Sequence, residues 1–203
     1  MTGGGRLFLG CVLSLFLSAC VFGNQTVRLP ESVLSPEPRG KGTKGALVVP
    51  PVADQREVPD HIGVRKGAFG ISTAKIYPDR NVPVWLRESV RAELRAAGFN
   101  IVRKSETGAA STIELILIKF FVESVMGWGT ETFETDLAVR LRVTPATGRS
   151  TERDYHTRGV AEGRVPPEKN YTSSLEQATA ELIKRLVPDI IALTGLPSET
   201  GPP

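Results

Sequence analysis

Two adjacent segments constrain this chain most. Residues 112–126 and 130–144 are each long enough for an extended strand, and only Gly127-Trp128-Gly129 separates them. In the second, Phe133, Leu137, Val139, Leu141 and Val143 alternate with Glu134, Asp136, Arg140 and Arg142. Successive side chains on a strand point to opposite faces, so this pattern predicts a half-buried antiparallel strand. The first segment is apolar at even positions (Ile116, Ile118, Phe120, Val122) and at odd ones (Ile113, Leu115, Leu117, Phe121). That predicts a strand covered on both faces. Pro145 to Gly148 reads as a turn, and residues 150–163 return as a third strand with Tyr155, Gly159 and Ala161 toward the core.

Two amphipathic helices accompany these strands. Asn81 is placed to cap a helix over 82–97, with Pro83 in its first turn and Gly98 just past its end. Its stripe is Val82, Leu86, Val90, Leu94 and Ala97. A second helix, capped by Asn170 or Thr172 and running to about residue 193, carries Leu175, Ala178, Leu182, Leu186, Ile190 and Leu193. Pro188 should kink it. Shorter strands are expected at 46–52, 71–77 and 99–103, and a Gly- and charge-rich loop at 58–70. The order is β-β-α-β-β-β-β-α. The predicted class is α+β: a mainly antiparallel β-sheet with two amphipathic helices packed on one face. The other apolar face of 112–126 then needs the early strands and the 61–81 segment, a second copy of the chain, or a partner.

The N-terminus sets the compartment. Arg6 precedes an apolar run at 7–17, too short to span a bilayer comfortably. Residues 1–19 read as a secretory signal peptide. Leu17-Ser18-Ala19-Cys20 matches the bacterial lipobox, in which cleavage before the Cys leaves a diacylglycerol on its sulfur and acyl chains such as palmitate on its amine. Such an anchor is stable, each buried methylene adding about 0.8 kcal/mol. Residue 21 is Val rather than Asp, which favours the outer membrane, with the chain facing the periplasm. Cys11 is removed and Cys20 consumed, so no free thiol and no internal disulfide remain. Residues 20–44 read as the lipidated Cys and a flexible tether, 45–196 as one domain and 197–203 as a disordered tail.

These features together resemble the YajG-type family of uncharacterised bacterial lipoproteins. The residues carrying the resemblance are the lipobox at 17–20, Val-Ala-Asp-Gln-Arg at 52–56, the helix-plus-strand WLRESVRAELRAAGFNIV at 85–102, the long strand ending in the Gly turn at 127–129, and the hairpin closing with Val-Ala-Glu-Gly at 160–163. The resemblance covers most of the mature chain. It implies a lipid-anchored periplasmic domain with no enzyme activity assigned. This chain departs from it by a basic, Gly-rich segment at 61–81 and a Pro-rich tether.

Little in the sequence points to catalysis. His61 and His156 lie 95 residues apart, no Gly-x-Ser-x-Gly elbow is present, and Gly67-Ala-Phe-Gly70 lacks the P-loop Lys. No catalytic residue, cofactor or metal is expected, and the chain reads as a non-enzyme. A net charge of +3 over 203 residues gives no electrostatic case for nucleic acid. Glu134 and Asp136 share a strand face with Arg140 and Arg142, which explains them by cross-strand pairing. Three residues are candidates for partner binding. Asp54 and Arg56 follow the first strand, where they could contact an anion or substrate, although a turn cap at Asp54 and a local ion pair from Arg56 are the favoured explanation. Trp128 stands between two glycines, where it can touch a partner, reach the membrane interface or fold back on its own strands. The expected role is therefore a lipid-anchored envelope protein that binds another envelope protein or itself. The alternative is an accessory lipoprotein of an envelope transport or assembly system, binding lipid or another envelope component in an apolar groove.

Overall fold

A computed structural model describes residues 23–31, 45–67, 69–103, 110–127, 129–146, 148–163 and 168–194. Among these residues nine strands form one sheet: β1 (Gln25–Val27), β2 (Ala46–Val48), β3 (Ala53–Asp54), β4 (Gly63–Lys66), β5 (Ser72–Pro78), β6 (Asn100–Val102), β7 (Ser111–Met126), β8 (Glu131–Thr144) and β9 (Thr151–Gly163). With two helices among the described residues, α1 (Val82–Ala96) and α2 (Glu168–Leu193), the fold is α+β.

β7 is the spine. Along one edge it pairs antiparallel with β8 over its whole length, and β8 pairs antiparallel with β9. Along the other edge three short strands follow one another in parallel: β2 opposite Ser111 and Thr112, β3 opposite Ile116 and Leu117, and β4 opposite residues 122–125. β6 adds parallel to β2, β5 antiparallel to β4, and β1 parallel to β5. The long pairings are thus antiparallel and the short ones largely parallel.

Both helices lie on one face, as their stripes require. On α1, the Asn81 side chain accepts from Val84 N–H at 3.0 Å, and the end closes with Phe99 N–H on Leu94 carbonyl and Gly98 at φ 96°. Trp85 of α1 meets Phe120 of β7, and Tyr171 of α2 meets Phe133 of β8 edge-on, with centroids 4.6 Å apart. α2 starts at Glu168, ahead of the expected caps, and runs through Pro188 to Leu193 as expected. The helix approaches β9 so closely that a Cβ on Gly159 would collide with the Ser174 carbonyl. Only glycine fits there.

Three sequence expectations change. The first concerns β7. Its register shifts between Leu117 and Lys119, and this bulge moves the inward positions from 113, 115 and 117 to 120, 122 and 124. The strand is not apolar on two faces throughout. Most of its apolar residues share the helix-covered face, leaving Ile116, Ile118 and Phe121 half-buried on the other. Second, residues 58–70 are not simply a loop, because Gly63–Lys66 pairs with both β5 and β7. Third, residues 23–31 are not free tether. β1 joins the sheet and Leu29 is fully buried. The Leu29 N–H donates to Asp79 Oδ1 at 2.9 Å, while its carbonyl accepts from Arg80 at 2.9 Å and that of Pro30 from Trp85 Nε1 at 2.7 Å. The rest of the expected tether, the signal peptide and residues 197–203 lie outside the described residues.

Candidate functional site

The face of the sheet away from the helices is built from the alternate residues of the same strands. On β7, β8 and β9 it presents rows fixed by register: Ile116, Arg140 and Asp154 in one, Phe121, Asp136 and Arg158 in another. Ion pairs run along and between these rows. Arg140 holds Asp154 at 2.7 Å, Lys119 holds Asp136 at 2.7 Å, Lys66 holds Glu123 at 2.6 Å, and Arg158 pairs with Glu134. The Arg140 guanidinium lowers the Asp154 carboxyl pKa below its ordinary value.

Where β3 leaves β7, the surface dips. A groove of about 720 Å³ runs between the 55–58 segment and the sheet, with Val58, Ile118 and Phe121 giving it apolar walls and Arg56, Lys119 and Asp136 at its polar edge. The bulge at residue 118 turns Ile118 and Phe121 toward this side. Phe121 is backed by His61, whose ring lies 6.4 Å away and whose Nδ1 is 2.8 Å from Asp60.

The structure brings Asp54 and Arg56 together at this site. Arg56 Nε and Nη2 donate to the two carboxylate oxygens of Asp54 at 2.9 and 2.8 Å, and Nη2 also reaches the Pro59 carbonyl. This fork lowers the Asp54 pKa below its ordinary value. The pair braces the segment forming one wall of the groove. Trp128 and Cys20 lie outside the described residues. His156 stands exposed on β9, two strands from β7, with Nε2 3.7 Å from Asp136. Among the described residues no group of three or more His, Cys, Asp or Glu is placed to hold a metal ion. Among them, too, no helix is long and apolar enough to cross a membrane.

A second polar constellation, on the helix-covered side, was not read from sequence. Arg65 of β4 donates to both carboxylate oxygens of Glu131 on β8, at 2.9 and 3.1 Å. The Ser124 hydroxyl donates to Glu131 at 2.8 Å, so at its 2.8 Å contact with Tyr171 it can only accept. All four residues are buried. Burial, with the nearby Glu131 charge, raises the Tyr171 pKa. Every oxygen has a partner inside the cluster, which makes it a structural lock between β4, β7, β8 and α2 rather than an acid–base centre. Its only trace in the sequence is the parity of Glu131, which matches Phe133.

A family model described as an uncharacterised lipoprotein matches residues 43–190. No curated protein matches the chain. Among solved structures, a Xanthomonas campestris protein superposes with a TM-score of 0.54 at 14% identity, covering 85% of this chain and 96% of its own. That likeness is one of fold alone. A minor lipoprotein from Acinetobacter baumannii gives a TM-score of 0.42 at 10% identity, over 76% of this chain and 97% of its own. Because the family model spans nearly all of the folded domain, the chain belongs to this uncharacterised lipoprotein family.

Proposed function

We propose that the chain is a lipid-anchored protein of the bacterial envelope, of the YajG type. Cys20 carries the lipid and holds the domain on the periplasmic side of the outer membrane. The domain does no chemistry of its own and binds another envelope protein through the groove on its open sheet face. One observation carries this reading. The groove has an apolar wall from Val58, Ile118 and Phe121 beside paired charges, the composition of a protein-binding surface rather than of a reaction centre. Of the carboxylates around it, Asp54 is held by Arg56, Asp136 by Lys119, Glu123 by Lys66 and Glu134 by Arg158, while Glu57 stands exposed at the rim.

The test is purification from native membranes after mild crosslinking, with mass spectrometry of both the N-terminal peptide and the co-purifying species. A lipid mass on Cys20 and one recurrent envelope protein, lost in Phe121→Asp, supports the reading. An unmodified Cys20 or a partner retained by Phe121→Asp overturns it. The groove volume also suits an acyl chain. Recurrent lipid in place of protein would favour the accessory role in envelope transport or assembly.

A further inference from the structure

The route of β1 places the start of the domain beside an apolar hairpin tip. β1 runs parallel to β5 with Gln25 opposite Ile76, and the Lys75 N–H donates to Asn24 Oδ1 at 3.1 Å. The chain before β1 therefore leads toward the start of β5 at Ser72. Cys20 lies five positions before Gln25, and Ile71 five positions before Ile76. A five-residue span reaches at most about 17 Å.

At that end of the sheet the β4–β5 hairpin carries Phe69, 93% exposed, and Ile71, 67% exposed. The turn is closed, not frayed. The Gly67 N–H donates to the Ile71 carbonyl at 2.9 Å, the Gly70 N–H to the Gly67 carbonyl at 2.9 Å, and Gly70 takes the φ of 73° that such a turn needs. Val125, itself exposed near the end of β7, stands opposite Lys66 at the base of the same hairpin. These apolar side chains lie at one end of the sheet, within a short leash of the lipidated position. We propose that the Phe69–Ile71 tip enters the interfacial layer of the bilayer that holds the Cys20 lipid. The proposal rests on the lipid-anchor reading. An anchor alone leaves the domain free to rotate. An apolar tip seated in the headgroup–acyl boundary fixes which way its open face looks.

The test uses full-length lipidated protein in vesicles of phosphatidylethanolamine and phosphatidylglycerol. With Cys20 acylated, Phe69→Cys, Ile71→Cys and Val84→Cys each offer a single free thiol for an environment-sensitive fluorophore. Val84 is exposed on α1, at the opposite end of the sheet. The expected result is a blue shift at 69 and 71 and loss of that emission to bromine-labelled acyl chains, with neither at 84. Water-like emission at 69 and 71, with the lipid mass present on Cys20, overturns the tip proposal and leaves the anchor standing. A blue shift that brominated lipid does not quench puts the tip in a protein contact and also overturns it. An unmodified Cys20 in the N-terminal peptide removes the anchor and the proposal together.

Discussion

The two faces of the β7–β8–β9 sheet are made by the same three strands, yet they are organised by different forces. The helix-covered face holds Phe120, Val122, Phe133, Leu137 and Val139, each at most 2% exposed, under α1 and α2. The open face holds Lys119, Glu134, Asp136, Arg140, Asp154 and Arg158, tied in exposed pairs. Apolar burial contributes about 25 cal/mol per Å², whereas exposed ion pairs are worth ~0–1 kcal/mol. Stability therefore lives on one face, and the other is free to vary its side chains without unfolding the domain. The groove beside Phe121 sits on the face where a binding surface costs the fold least.

Truncating the covered face should break this contrast most sharply. Phe133→Ala removes a buried ring packed edge-on to Tyr171, and we expect a loss of about 4 kcal/mol in urea unfolding. Glu131→Ala leaves Arg65 buried without its carboxylate. The expected cost is about 3 kcal/mol, and the paired change Arg65→Met with Glu131→Leu should recover most of it. On the open face, Lys119→Ala breaks an exposed pair with Asp136 and should cost less than ~1 kcal/mol. A loss as large as that of Glu131→Ala would erase the distinction between the faces.

The smallest effect is one of pH. Asp54 has a folded pKa lowered by Arg56, and Asp189 has one lowered by hydrogen bonds from Tyr155 and Arg153 that outweigh its burial. A depressed folded pKa gives stability that is present above the unfolded value, near 3.9, and lost as pH falls through the folded value. Stability should therefore fall as pH drops below about 4, and Asp54→Asn should flatten that limb by slightly lowering the neutral-pH plateau while leaving stability at the acid end unchanged.

How far the sequence could be read follows from the range of the interactions. Residues 131–144 alternate cleanly, and α1 carries its own caps at Asn81 and Gly98, so these elements were legible from local pattern. β7 misled because a single bulged residue reverses parity and leaves no mark of its own in composition. β4 was obscured by Arg65, an inward-facing charge whose partner Glu131 lies 66 residues away. β1 has only three residues, and the Leu29-Pro30 stretch that follows it is held by Asp79, Arg80 and Trp85 from across the chain. Of the candidate site, Asp54 and Arg56 are legible as a local ion pair, but the apolar wall from Ile118 and Phe121 depends on the bulge.

The most direct test places a photo-crosslinking residue at Ile118, in the groove, and another at Lys184, on the exposed side of α2, in lipidated protein in its native membrane. The account predicts one recurrent envelope-protein adduct from position 118 and none from position 184. An adduct from 184 alone, or the same adduct from both, would contradict the assignment of binding to the open face.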